Sequence, residues 1–304
     1  MTTQRITLKK VHAATQIEKA CHEVQGFTTL SQDLERTMTL NGYSKSTFTN
    51  YLRCLAYLSV HCKKLPQQTT DREIEDYLLK LKKDFSPSES YFKHTVYGLR
   101  FLFKFLDQKD RAIKMPRVRS RLTLPVVLSK EECKRLFKAL DDLKCRILLC
   151  LIYATGMRLN EVRLLKWEDI DRPRQQIRIQ QGKTRKSRCV MLSSYLVEGL
   201  IKYFLQYEPQ VYVFNGSHKG EPMPESSIRW IINNAVSQSG IKKHVTPHTL
   251  RHSFATHLLE DGVDIVTIKE LLGHSQLRST LTYLHVAHLQ RRNAHSPLDT
   301  LYGF

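Results

Sequence analysis

The sequence predicts a mainly α-helical protein with a small β-sheet, divided into two domains. Its 304 residues exceed the usual single domain, apolar residues recur at helical spacing through most of the chain, and only one stretch alternates apolar with polar residues as a half-buried strand does.

Residues 1–26 show no sustained apolar period and read as an N-terminal tail. Residues 27–112 read as a helical domain. Ser44 stands before Thr47, Phe48, Tyr51, Leu52, Leu55, Tyr57 and Leu58 at helical spacing, and Thr70 with Glu73 forms a capping box before Ile74, Tyr77, Leu78 and Leu81. A third apolar helix runs from about Tyr91 to Leu106. From Asp107 to Pro125 the chain changes character, carrying Lys109, Arg111, Lys114, Arg117, Arg119 and Arg121 with two prolines, and residues 113–125 read as a basic interdomain linker. Cations of one shared sign suit a strap across a polyanion better than a merely solvated loop.

The second domain, residues 126–304, opens with another capping box, Ser129 and Glu132, ahead of Cys133, Leu136 and Leu140. A strongly apolar helix follows from Leu143 and stops at Thr155-Gly156, where glycine permits a turn few residues tolerate. The strand signal comes next: Ile177 and Ile179 alternate with polar residues, a polar Gly182–Arg188 turn intervenes, and Val190 and Leu192 resume the alternation. Beyond Ser226 the chain is helical again, with Thr246-Pro247 as a helix start and Gly262 and Gly273 as stops.

Charge narrows the partner. With 48 Lys+Arg against 29 Asp+Glu the net charge is +19, a single-sign field that draws in a polyanion, and nucleic acid is the leading partner class. No uninterrupted apolar run of about 18 residues and no secretory leader at Met1–Lys10 is present, so a cytoplasmic protein with no membrane partner is expected. The seven cysteines are scattered without a C-x-x-C pair, against a disulfide framework and a zinc ribbon. His248, His252 and His257 share one helical stretch, but no H-E-x-x-H or cysteine pair completes a metal site, and no metal or cofactor is expected.

Six residues carry candidate chemistry: Arg158, Lys183, His248, Arg251, His274 and Tyr283. His248 and Arg251 lie three apart just after a proline-started helix, so both project from one face near its N-terminus, where dipole and free amides favour an anion. Arg158 follows the Gly156 turn at another helix entry, able to fork two hydrogen bonds onto phosphate oxygens. Lys183 sits at the tip of the strand signal, His274 directly after the Gly273 stop, and Tyr283 nine residues further on.

Taken singly, each would pass for a surface or packing residue. Their order does not. Ala154-Thr155-Gly156-Met157-Arg158-Leu159-Asn160-Glu161, Gly182-Lys183-Thr184-Arg185-Lys186-Ser187-Arg188, His248-Thr249-Leu250-Arg251-His252, Leu271-Leu272-Gly273-His274-Ser275 and Thr282-Tyr283 follow the sequence of motifs in tyrosine recombinases, also called phage integrases. The chain resembles that family across its second domain, and Gly42-Tyr43-Ser44 with the following helix is similar to the family's helical core-binding domain. It looks closest to the compact Xer-like and mobile-element integrases.

The resemblance implies an arginine clamp of Arg158 and Arg251, a hairpin lysine at Lys183, site histidines at His248 and His274, and a nucleophile at Tyr283. The turn after Lys183 departs from the family's glycine and small polar residue, leaving Lys186 as the rival lysine, and Lys183 is preferred because it follows Gly182 directly. Fixed cations would stabilise charge crowding onto the phosphate's non-bridging oxygens, Tyr283 would lose its proton toward His248, and Lys183 would protonate the departing 5′-oxygen. The 3′-phosphotyrosine so formed stores the bond energy for rejoining. The family's implied assembly is a C-shaped clamp on double-stranded DNA, a homo-tetramer on two sites passing through a Holliday junction, with accessory DNA-bending proteins as possible partners. The segment beyond the nucleophile docks into a neighbouring subunit in relatives, with folding back onto its own domain as the alternative. Two rivals are a type IB topoisomerase, against which the short chain and Xer-like motifs count, and a DNA-binding protein with a dead site, against which the full residue set counts.

Overall fold

The computed structural model describes residues 15–84, 89–116, 124–180 and 187–287. Lys183 and Lys186, the linker arginines Arg117, Arg119 and Arg121, and the tail from His288 lie outside them. The chain divides into two compact units, Met1–Arg121 and Leu122–Phe304.

The first unit holds α1 (Gln16–Glu23), α2 (Phe27–Leu40), α3 (Lys45–Cys62), α4 (Asp71–Asp84), α5 (Glu89–Phe105) and α6 (Lys109–Lys114). Ser44 accepts from the Thr47 amide to start α3, and the reciprocal Thr70 and Glu73 bonds start α4, as their sequence spacing predicts. Phe27, Leu34, Leu55, Leu58, Ile74, Leu99 and Phe103 meet in one apolar core. Two expectations need correction. Residues 16–23 are not tail: Ala20 and Val24 are buried in this core as α1 packs on α3. Arg111 does not belong to a strap across a polyanion either. Its Nε donates to Asp71 Oδ1 at 2.7 Å and its Nη2 to the Thr69 carbonyl at 2.6 Å, so this cation closes the unit on itself.

The second unit carries α7 (Lys130–Lys138), α8 (Leu143–Thr155), α9 (Leu159–Arg163), β1 (Ile170–Asp171), β2 (Gln176–Ile179), β3 (Arg188–Met191), α10 (Ser194–Tyr207), α11 (Glu225–Ser239), α12 (Pro247–Glu260), α13 (Ile265–Leu272) and α14 (Arg278–Leu281). The Ser129 and Glu132 capping box is formed. α8 buries Ile147, Leu148, Leu149, Leu151 and Ile152, residues that run round its circumference, and so forms the central rod of the unit. α7, α10 and α12 pack on it. The strands form an antiparallel sheet in the order β1-β2-β3, with Ile177 opposite both Ile170 and Val190. Ile177, Ile179 and Val190 point to the core, which holds the register, because a one-residue slip would turn them to solvent. Sequence periodicity found β2 and β3 but neither β1 nor α10.

Candidate active site

Two glycine-terminated helices aim at one point. α8 ends at Gly156, left-handed at φ 59°, and α13 ends at Gly273, left-handed at φ 61°. At Gly156 a Cβ would lie 2.4 Å from the Phe254 ring and 2.9 Å from Leu272, so sterics as well as backbone conformation demand glycine. This close approach brings α8, α12 and the end of α13 together.

A helix C-terminus leaves carbonyls without intrahelical partners. At α13 three consecutive ones are taken by three arginines from elsewhere. Arg188 Nε donates to the Leu271 carbonyl at 2.7 Å, Arg251 Nη2 to Leu272 at 2.5 Å, and Arg158 Nη2 to Gly273 at 3.0 Å. The negative end of the helix dipole favours cations there. Arg251 Nη1 also donates to the Gly156 carbonyl at 2.6 Å, so this 3 % exposed guanidinium ties both helix ends together. Burial and the neighbouring Arg158 lower its pKa to about 10, which leaves it a cation at neutral pH.

Glu161 balances the other two. It accepts from Arg158 Nη1 at 2.8 Å and from Arg188 Nη1 and Nη2 at 3.0 and 2.7 Å, a fork-on-fork pair at the root of β3. Although burial pushes its pKa up, these arginines and the Arg158 amide prevail and hold it at about 2.

Tyr283 lies in the single 3-10 turn after α14 and is 1 % exposed. Burial raises its pKa against the opposing pull of the Arg251 and Arg158 cations. His274 stacks on the tyrosine ring at 6.4 Å between centroids and 15° between planes, and its Nδ1 is 2.9 Å from Thr280 Oγ1. Burial and nearby arginines bring its pKa down to about 4. His248 stands exposed on the first turn of α12, its pKa lowered by desolvation and by Arg251, Arg229 and Arg158.

The structure thus brings Arg158, Arg251, His274 and Tyr283 together, with His248 at the rim, while Lys183 falls outside the described residues. Among the described residues no three His, Cys, Asp or Glu side chains converge as a metal site. His257 points elsewhere, its Nδ1 2.8 Å from the Tyr153 hydroxyl.

Residues 126–290 match the phage integrase family, and residues 30–112 match its N-terminal SAM-like domain. This chain belongs to the phage integrase family. Tyrosine recombinase XerA of Pyrococcus horikoshii is similar at 31% identity over 262 residues, covering 84% of this chain and 89% of that protein. The XerH site-specific recombinase in a post-cleavage complex with palindromic difH substrate shares the fold at a TM-score of 0.68, with 20% identity over 98% of this chain and 91% of that one. A lambda integrase tetramer bound to a Holliday junction does so at 0.69, with 16% identity over 94% and 83%. Like the tyrosine recombinases of this family, this chain is an enzyme that cleaves and rejoins DNA.

Three residues at this integrase's site escaped the motif reading of roles: Arg188, Glu161 and His252. Arg188 shares a strand face with Val190, and a charge on the apolar face of a strand signals a buried partner. His252 lies one turn beyond His248 on the same face of α12, and its Nδ1 is 3.2 Å from the Tyr283 hydroxyl. The histidine of α12 within hydrogen-bond distance of the Tyr283 hydroxyl is therefore His252, where sequence reasoning placed His248.

Proposed function

We propose that this integrase recombines double-stranded DNA site-specifically by attack of Tyr283 on the scissile phosphate. The observation that carries this reading is a buried tyrosine, its hydroxyl 3.2 Å from the imidazole that follows Arg251 on α12, beside arginines anchored on one helix end. A guanidinium has five N–H donors. Arg251 commits two nitrogens to carbonyls and Arg158 commits two to Glu161 and Gly273, yet each keeps donors for phosphate oxygens. Held in place before substrate arrives, they stabilise charge that develops in the transition state with no reorganisation. His248 and the free ring nitrogen of His274 supply further donors, and Lys183 protonates the 5′-oxygen as it leaves. Rejoining reverses these steps and needs no cofactor or metal.

In the same reading residues 27–112 grip the duplex, 113–125 form the linker and 126–304 carry the chemistry. The lambda integrase tetramer on a Holliday junction supports a homo-tetramer acting on two sites, and accessory DNA-bending proteins would assist. Among the described residues no helix is long and apolar enough to cross a membrane, in keeping with work on cytoplasmic DNA.

The test uses a duplex that the protein itself enriches from a random-sequence pool, nicked beside the cleavage point so that the released fragment traps the adduct. Wild type accumulates a covalent complex in the presence of EDTA, and Tyr283→Phe binds the duplex but forms none. An adduct with the phenylalanine variant would assign the nucleophile elsewhere, and loss of the wild-type adduct in EDTA would point to metal-assisted cleavage.

A further inference from the structure

The Tyr283 hydroxyl lies 3.2 Å from His252 Nδ1. The Arg251 guanidinium that precedes His252 on α12 carries donors only and can take no proton from a phenol. The imidazole nitrogen can, and it is the atom within hydrogen-bond distance. In that role His252 is the tautomer with its proton on Nε2. We propose that His252 is the proton acceptor for the Tyr283 nucleophile, with Nδ1 as the receiving atom.

Position supports the role. His252 is half-buried on α12 directly after Arg251, its ring 5.6 Å from the Tyr283 ring and 6.4 Å from that of His248. The groups facing it are His248 and Arg251 on its own helix, Tyr283 from the turn after α14, and His274 close enough to feel its charge. Burial first, then His248 and Arg251, bring its pKa down to about 4, while that of Tyr283 is raised. Without DNA the transfer is uphill, so the phenol stays protonated and unreactive. A scissile phosphate seated on Arg251 adds negative charge beside the imidazole and offsets the cation's field, which raises its proton affinity.

The step balances. As the Tyr283 oxygen bonds to phosphorus, its O–H bond breaks and the proton passes to His252 Nδ1. The bond from phosphorus to the 5′-oxygen breaks, and that oxygen takes a proton from Lys183. In religation the imidazolium returns its proton to the departing phenolate.

This step rests on the recombinase reading, and one experiment separates the two. Adduct formation on the enriched, nicked duplex is timed under single-turnover conditions for wild type, His252→Ala, His252→Asn and His248→Ala, each with natural or ring-fluorinated tyrosine at position 283. Asparagine keeps an acceptor near Nδ1 but cannot take the proton, and it serves if the alanine variant fails to fold. Both His252 variants should bind DNA as wild type does and react about 100-fold or more slowly, the usual scale of general-base removal. The fluorinated phenol, which ionises more readily, should restore most of that loss in the His252 variants and change wild type and His248→Ala little. Wild-type rates in either His252 variant, absence of recovery on fluorination, or recovery in His248→Ala instead would each overturn the proposal. If wild type with natural Tyr283 forms no adduct, the recombinase reading fails and takes this step with it.

Discussion

His252 and His274 are held neutral by their surroundings, and that has a consequence for the folded state as well as for catalysis. Both have pKa values near 4 against an ordinary 6.5, burial being the largest cause in each. A base depressed on folding contributes stability that is complete above its unfolded pKa and is lost as pH falls through the folded one. Stability should therefore decline between pH 6.5 and about 4, by at most about 3 kcal/mol for each imidazole and less for the interacting pair. Denaturant titrations at pH 7.5 and 4.5 would show it, and His274→Asn should flatten the decline. An unchanged midpoint across that window would mean the imidazoles are not buried as described. Arg158 offers a second test. Its side chain is less buried than that of Arg251, so Arg158→Ala should fold while cleaving more slowly by about 3 kcal/mol in activation free energy, with a smaller loss in binding. Equal losses in the two would make it a positioning group only.

Between residues and domains, helix ends do most of the organising. Gly156 is the sharpest case: alanine there meets both a left-handed backbone and the Phe254 ring, and Gly156→Ala should cost about 2–4 kcal/mol, read as a lower denaturation midpoint. A stable, active variant would show that α8 and α12 can separate freely. Such ends were also what the sequence displayed best. The Ser129, Thr70 and Thr246 starts and the Gly156 and Gly273 stops are local chemistry, readable from neighbouring residues alone. α10 escaped because Tyr195, Phe204 and Leu205 remain exposed and blur its apolar period, and α1 because eight residues give too few turns to establish one. At the site the motif order pointed to Arg158, Arg251, His274 and Tyr283, which the structure gathers together. Arg188 and His252 meet partners distant in sequence, Glu161 and Tyr283; the strand-face charge at Arg188 signals a buried partner but does not say which.

At the scale of the whole chain the net charge of +19 dominates encounter with DNA. Affinity should fall steeply with salt, with a logarithmic slope of about −0.9 for each phosphate neutralised, and a flat response in a salt titration would exclude a backbone-led grip. The three carbonyls at the end of α13 bear on a different property. They fix guanidinium groups that belong to residues 158, 188 and 251, and Tyr283, the proposed nucleophile, follows later still in the chain. A chain still being synthesised, or one shortened by proteolysis before Leu271, holds its arginines without their anchors and has no tyrosine at this site. Such a fragment can adhere to DNA through its charge but cannot cut it. With Tyr283 as the proposed nucleophile, the order of parts along the polypeptide thus leaves unfinished or shortened copies without the means to break DNA.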